Sequence, residues 1–205
     1  MNRRARTALV LACGVQRLAE LRISARNRSR VERAEQASPS TYPAMVAVHV
    51  ALFAVSAWPR RGRRVSWPIE TIAVAGLVAS AALRLWVIRT LGTTWNVTAH
   101  VPSEGRVQTG GPYRYVRHPN YVAVALEFVC LPTAVGAIPE AVVLSIANAA
   151  VLVPRIRAEE RLLGAMPGYR EAFRGVPRFL PRPNRRSGQT PARDSQSRGV
   201  RSPNV

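Results

Sequence analysis

Lysine is absent from this 205-residue chain, and arginine carries all 30 of its basic positions. Acidic residues number only 11, which leaves a formal net charge of +19. Such a balance first suggests a nucleic-acid binder, but the arrangement argues against one. The arginines do not form a single stripe. They recur at the ends of apolar runs, where anionic headgroups attract them in membrane proteins, and codon usage in a GC-rich genome accounts for part of the preference over lysine. Cysteine is nearly missing as well. Cys13 and Cys130 both fall in apolar stretches without metal-ligand spacing, so they read as small packing residues, and neither a metal centre nor a disulfide is expected. A signal-peptide cleavage site is also lacking. The start, MNRRARTALVLACGV, begins like such a peptide, but QRLAELR continues the helical pattern, and the segment is expected to remain as a first membrane helix.

What the chain does have is apolar segments, five in number. Residues 7–21 are short and carry Arg17 and Glu20 one helical turn apart, a pair that can neutralise itself inside a bundle. Residues 43–59 are apolar almost throughout, with His49 inside. Residues 68–88 are long enough to span about 30 Å of hydrocarbon at roughly 1.5 Å per residue. Their small residues Gly76, Ala79, Ser80 and Ala82 permit close helix packing. Residues 119–136 and 139–154 complete the set. The expected fold is therefore an all-α integral membrane protein of five transmembrane helices.

A polar excursion over residues 89–120 separates the third and fourth spans, a length typical of functional lids. Beyond the fifth span, residues 155–173 read as an amphipathic helix in the aqueous phase. Residues 182–205 have no apolar period and are expected to be a disordered basic tail. Three units follow: 1–42, a first helix with its basic loop; 43–181, the membrane core; and the tail. If the excursion is cytoplasmic, 21 arginines lie on the inner side and 7 on the outer, the latter including the RRGRR cluster at 60–64. That bias favours a cytoplasmic loop and C-terminal helix.

Two stretches carry chemistry. In GPYRYVRHPNY, residues 111–121, Pro119 suits a first helical turn, and His118 before it is expected to be extended. Backbone amides at such a helix start attract a carboxylate or phosphate; a plain cap with an interfacial histidine explains an isolated His-Pro pair equally well. In RIRAEERLL, residues 155–163, Arg155 and Glu159 share one helical face, as do Ile156 and Glu160. Carboxylates beside arginines suit a cationic ligand with polar groups, or ordinary solvated ion pairs.

Taken in order, TGGPYRYVRHPNY, two apolar helices, RIRAEERLL, YREAF and VPRFLP resemble the isoprenylcysteine carboxyl methyltransferase family of integral membrane enzymes over about residues 84–181. QRLAELRISARNRS, TYPAMVAVHVALF and HPNYVAVALE resemble one bacterial branch, the O-methyltransferases encoded beside type III polyketide synthases, which methylate alkylpyrones and alkylresorcinols. The resemblance implies S-adenosyl-L-methionine as methyl donor. It assigns Arg106, Val107, Gln108, Tyr113, His118, Pro119, Asn120, Tyr121 and Glu159 to the cofactor pocket, and Arg155 to the reacting group of the acceptor, a carboxylate or enolate. It further implies a bacterial inner-membrane protein whose partners are the lipid-like acceptor and the membrane, with no nucleic acid.

A sulfonium cofactor cannot enter hydrocarbon, so it needs a polar pocket roofed by a loop. An acceptor with a long chain partitions into the bilayer and must arrive sideways between helices. Methyl transfer is an in-line displacement that needs close approach in a dry site. Glu127, within the fourth span, is expensive there unless paired. It is a candidate catalytic base for the acceptor hydroxyl, or a structural partner of Arg84 or Asn148. His49 reads as a packing hydrogen-bonder, His100 has no identifiable partner, and Trp58, Trp86 and Trp95 read as interfacial anchors. The competing functions are carboxyl methylation of a prenylated cysteine, a nicotinamide-dependent sterol-type reductase, and a non-catalytic membrane adaptor.

Overall fold

Proline sets the start of each apolar helix. In the computed structural model, which describes residues 1–28, 34–36, 39–58, 65–98, 100–102 and 107–181, helix α2 (Tyr42–Ala57), α3 (Trp67–Leu91), α4 (Pro119–Ala134) and α5 (Ile138–Ala165) each carry proline in their first two positions. The missing N–H costs nothing there because no intrahelical acceptor awaits it. Helix α1 (Arg3–Arg28) precedes them, and a single turn, α6 (Tyr169–Ala172), follows. The RRGRR cluster, Arg106 and the tail at 182–205 lie outside the described residues.

The architecture is helical apart from one ribbon, in which β1 (Ala34–Gln36) pairs antiparallel with β2 (His100–Pro102), Glu35 opposite Val101. The ribbon joins the segment after α1 to the polar excursion. Among the described residues, two helices are long and apolar enough to cross a membrane: α3 with the turn after it, Trp67–Thr94, and α5, each 28 residues. Helices α2 and α4 have 16 residues each, about 24 Å at roughly 1.5 Å per residue, short of a typical hydrocarbon core.

Helix α1 extends beyond the expected 7–21 at both ends, because the charges of Arg17 and Glu20 are paired within the bundle and do not end it. Helix α5 runs without interruption through Pro154 and RIRAEER. Residues 155–165 thus continue a long helix, and only 169–172 form a separate turn.

The core gathers on α3, α4 and α5. Phe128, Leu131 and Leu52 are fully buried, with Leu77, Val124, Leu144 and Leu152 packed around them. Helices α3 and α4 approach closely. A Cβ on Gly76 would stand 2.5 Å from Cys130 Sγ, and Ser80 Oγ donates to Ala123 O at 2.8 Å. Small residues permit this contact, and the hydroxyl satisfies a carbonyl across the interface.

Candidate functional site

The loop before α4 is shaped by its two glycines. A one-turn 3-10 helix spans Gly111–Arg114, with Tyr113 N donating to Gly110 O at 3.2 Å. Gly111 has φ +55, and a Cβ there would lie 2.2 Å from Thr90 Oγ1 and 3.1 Å from the Trp86 indole nitrogen. Only glycine lets the loop lie flush on the last turn of α3. Gln108 fastens the same junction: its amide nitrogen donates to Thr90 O at 3.1 Å, and its oxygen accepts from Gly110 N at 2.9 Å.

His118 caps α4 with φ −125 and ψ 58, short of the extended backbone expected before proline. Its carbonyl accepts from Tyr121 N and Val122 N, both at 3.2 Å. Those two amides close the helix start and are not free for an anion. The C-terminal segment straps this turn. Arg117 N donates to Pro177 O at 2.8 Å, and His118 N to Arg178 O at 3.0 Å.

Glu160 is the side-chain hub of the strap. It accepts from Arg178 Nε and Nη2 at 2.9 and 2.7 Å and meets His118 Nε2 at 3.1 Å. The His118 ring lies between Tyr121 and Phe179, with centroids 5.7 and 5.9 Å away. A carboxylate accepting from both sides fixes the ring's orientation.

Below the loop lies a cavity of about 820 Å³. Its upper end is polar. Tyr121 donates its hydroxyl hydrogen to Glu159 and accepts from Arg155 Nε at 3.2 Å. Arg155 Nη2 donates to Val97 O at 2.6 Å, while Nη1 is buried with no partner among the described residues. A guanidinium 2% exposed with one nitrogen unspent is an open hydrogen-bond donor for an oxygen anion or carbonyl. Burial, with Glu159 nearby, pushes the Tyr113 hydroxyl well above its ordinary range, so it stays a hydrogen-bond donor. The lower end is apolar and opens between α1 and α2, where Leu11, Val15, Leu18, Val46, Val50 and Phe53 line it.

The structure brings Tyr113, His118, Pro119, Asn120, Tyr121, Arg155 and Glu159 together on this one cavity. Val107 and Gln108 are not among its lining residues; Gln108 serves the loop instead. Arg106 lies outside the described residues.

Of the two readings of Glu127, the geometry matches the structural partner of Arg84. It does not line the cavity. It forms ion pairs with Arg17 Nη2 and with Arg84 Nη2, the latter at 3.4 Å. Glu20 pairs with the same two arginines, at 2.9 Å from Arg17 Nη1 and 3.2 Å from Arg84 Nε. A carboxylate behind the wall and held by two cations is paired as a buried counter-ion needs to be. Arg84 also donates to Asn120 Oδ1 at 3.2 Å, so the quartet abuts the loop motif.

Trp95 is also corrected. It is buried at 1% exposure and lines the cavity, while Trp58 and Trp86 remain exposed. Asn27 holds Trp95 by donating to its carbonyl at 2.6 Å. Sequence reasoning missed Trp95, Glu160 and Arg178 as parts of the site. The signal for Glu160 was present, since it follows Glu159 in the same EER run, but its strap partner is distant in sequence.

Residues 72–165 match the isoprenylcysteine carboxyl methyltransferase (ICMT) family. The chain is 30% identical over 154 residues to the uncharacterized protein YpbQ of Bacillus subtilis, covering 73% of this chain and 90% of that protein. It is 32% identical over 132 residues to the cobalt-zinc-cadmium resistance protein CzcN of Cupriavidus metallidurans, covering 64% of this chain and 56% of that protein. Members of the matched family are methyltransferases that use S-adenosylmethionine. The matched stretch contains every polar residue named at the upper end of the cavity, and with it the chain belongs to the isoprenylcysteine carboxyl methyltransferase family.

Proposed function

We propose that this protein is an S-adenosyl-L-methionine-dependent O-methyltransferase of a membrane-partitioned, lipid-like acceptor, a polyketide-derived alkylpyrone or alkylresorcinol. The observation that carries the reading is one cavity with two chemistries. Its polar end holds Arg155, Glu159 and Tyr113 beneath a loop, and its apolar end opens between α1 and α2. A soluble cofactor and a greasy acceptor need that division.

The residues present fit the cofactor. Glu159 offers a carboxylate to a cationic end, Tyr113 and Asn120 offer hydrogen bonds, and His118, Pro119 and Tyr121 form the wall. When bound, the cofactor supplies an electrophilic methyl group. The chain's own contribution is placement: the unspent Arg155 Nη1 orients an acceptor oxygen, and the apolar side chains keep water out. The arginine bias supports a cytoplasmic polar end in a bacterial inner membrane, with all five apolar helices in or on the bilayer. A type III polyketide synthase is the class of enzyme that would supply such an acceptor.

Carboxyl methylation of a prenylated cysteine is the second reading. The family match favours it, and Arg155 suits a carboxylate as well as an enolate. The test is protein in nanodiscs given labelled S-adenosylmethionine with an alkylresorcinol, an alkylpyrone or a farnesylcysteine analogue. Label in a polyketide lipid is expected. Label only in the farnesylcysteine moves the reaction to carboxyl methylation, and no label in any acceptor removes the O-methyltransferase reading for these lipids.

A further inference from the structure

An O-methyltransferase acting on a phenol needs somewhere to put a proton, because a phenol with pKa near ~10 is a poor nucleophile until it ionises. With Glu127 behind the wall, the base must be sought among the titratable groups on the cavity itself. Arginines 17, 84, 117 and 155 line it but do not accept protons. Glu20 is held by Arg17, Arg84 and Gln16. Glu159 accepts the Tyr121 hydroxyl, and His118 is tied to Glu160 beside the strap.

His49 remains. It sits on α2, seven residues past Tyr42 and so about 10 Å below the start of that helix at roughly 1.5 Å per residue. Its Nδ1 lies 2.8 Å from Met45 O. A carbonyl only accepts, so Nδ1 carries the hydrogen, and in the neutral ring Nε2 carries the lone pair. Nε2 meets no partner among the described residues. The ring stands edge-on to Phe128, centroids 5.0 Å apart at 86°, which fixes its plane. The charged groups that act on His49 are Arg17 and Glu20 on α1 and Arg84 on α3, with Glu127 on α4 paired to both arginines behind them. The two arginines and two glutamates are ion-paired with one another, so none of them occupies the His49 Nε2 lone pair.

We propose that His49 is a catalytic base whose Nε2 takes the proton of the acceptor's hydroxyl, and that the acceptor is therefore a phenol of the alkylresorcinol type. This rests on the methyltransferase reading above. The oxygen's electron pair forms the new bond to the methyl carbon of the sulfonium donor, and the carbon–sulfur pair stays on sulfur. The hydroxyl proton rests on Nε2 and leaves to water with the product. A carboxylate acceptor, already ionised, would leave His49 idle.

The experiment compares wild type with His49→Asn in nanodiscs. The asparagine amide can still donate to Met45 O but presents no lone pair at the Nε2 position. The first readout uses no methyl donor: a long-chain nitrophenol is bound and its phenolate absorbance is followed against pH. Wild type is expected to ionise the bound phenol at lower pH than His49→Asn, and identical curves would overturn the proposal.

The second readout is methyl transfer to ring-substituted alkylphenols of falling pKa. General-base help is worth about 10²–10⁴-fold. His49→Asn should lose that much on the least acidic phenol and little on the most acidic, with donor affinity unchanged. A uniform loss across the series would also overturn it. If wild type methylates only a farnesylcysteine, the phenolic acceptor falls, and the donor-free absorbance alone decides whether His49 accepts a proton.

Discussion

Helices α3 and α4 meet through a glycine, a serine and a cysteine, whereas α1 and α2 face one another across large apolar side chains. On the first side a Cβ at Gly76 would collide with Cys130, and Ser80 bonds a carbonyl of the neighbouring helix. On the second, Leu11, Val15, Leu18 and Val50 are exposed and border the cavity. Lipid is as apolar as leucine, so hydrophobicity alone does not close a helix contact in a bilayer; small residues and hydrogen bonds do. The tight side is a rigid wall that positions the loop motif. The loose side is an apolar cleft, the place where the proposed acceptor's alkyl chain would replace lipid at little cost.

Four changes would break or sharpen that contrast. The largest effect is expected at Glu127, because its pair with Arg17 binds the loose helix α1 to the tight wall and its pair with Arg84 ties α3 to α4. Glu127→Ala leaves the buried Arg84 and the half-buried Arg17 short of a counter-ion, and a loss of about 3–5 kcal/mol is expected on unfolding in detergent. Next comes Gly76→Ala, with about 1–3 kcal/mol of overpacking. The same change in a Cys130→Ala background should cost much less, and a double-mutant cycle measures the difference.

The cleft should respond the other way. Val15→Trp or Val50→Trp should change stability by no more than about 0.5 kcal/mol. The KM for a long-chain acceptor should rise roughly tenfold, while a short-chain analogue is unaffected and kcat holds. The smallest effect is Arg178→Ala, which removes two of the bonds orienting Glu160. An exposed pair is worth about 0–1 kcal/mol, so donor Kd measured by calorimetry should rise by no more than roughly fivefold.

How far the sequence reveals this molecule depends on the range of each interaction. The starts of α2, α3, α4 and α5 fall within a residue or two of where proline and apolar runs place them, because helix initiation is a local matter. The convergence of Tyr113, His118, Tyr121, Arg155 and Glu159 is legible only through the order of motifs. Nothing local links residue 118 to residue 155.

The pairs Arg17–Glu20 and Arg84–Glu127 were legible, but the contact that joins them was not. Glu127 looks like an intramembrane carboxylate in want of a proton until Arg17, 110 positions earlier, is found against it. Trp95 looks like an interfacial anchor because tryptophans in such loops often are. Its burial follows from Asn27, whose side chain closes on the Trp95 carbonyl from the end of α1.

The strap has a consequence for the order of synthesis. Residues 117 and 118 take their backbone partners from 177 and 178, and Glu160 on the intervening helix binds both ends of that arrangement. A nascent chain emerging from the ribosome can insert α1 to α5 before Arg178 exists. The polar end of the cavity is thus completed last, and a partially translated protein presents the apolar cleft before the turn above it is strapped.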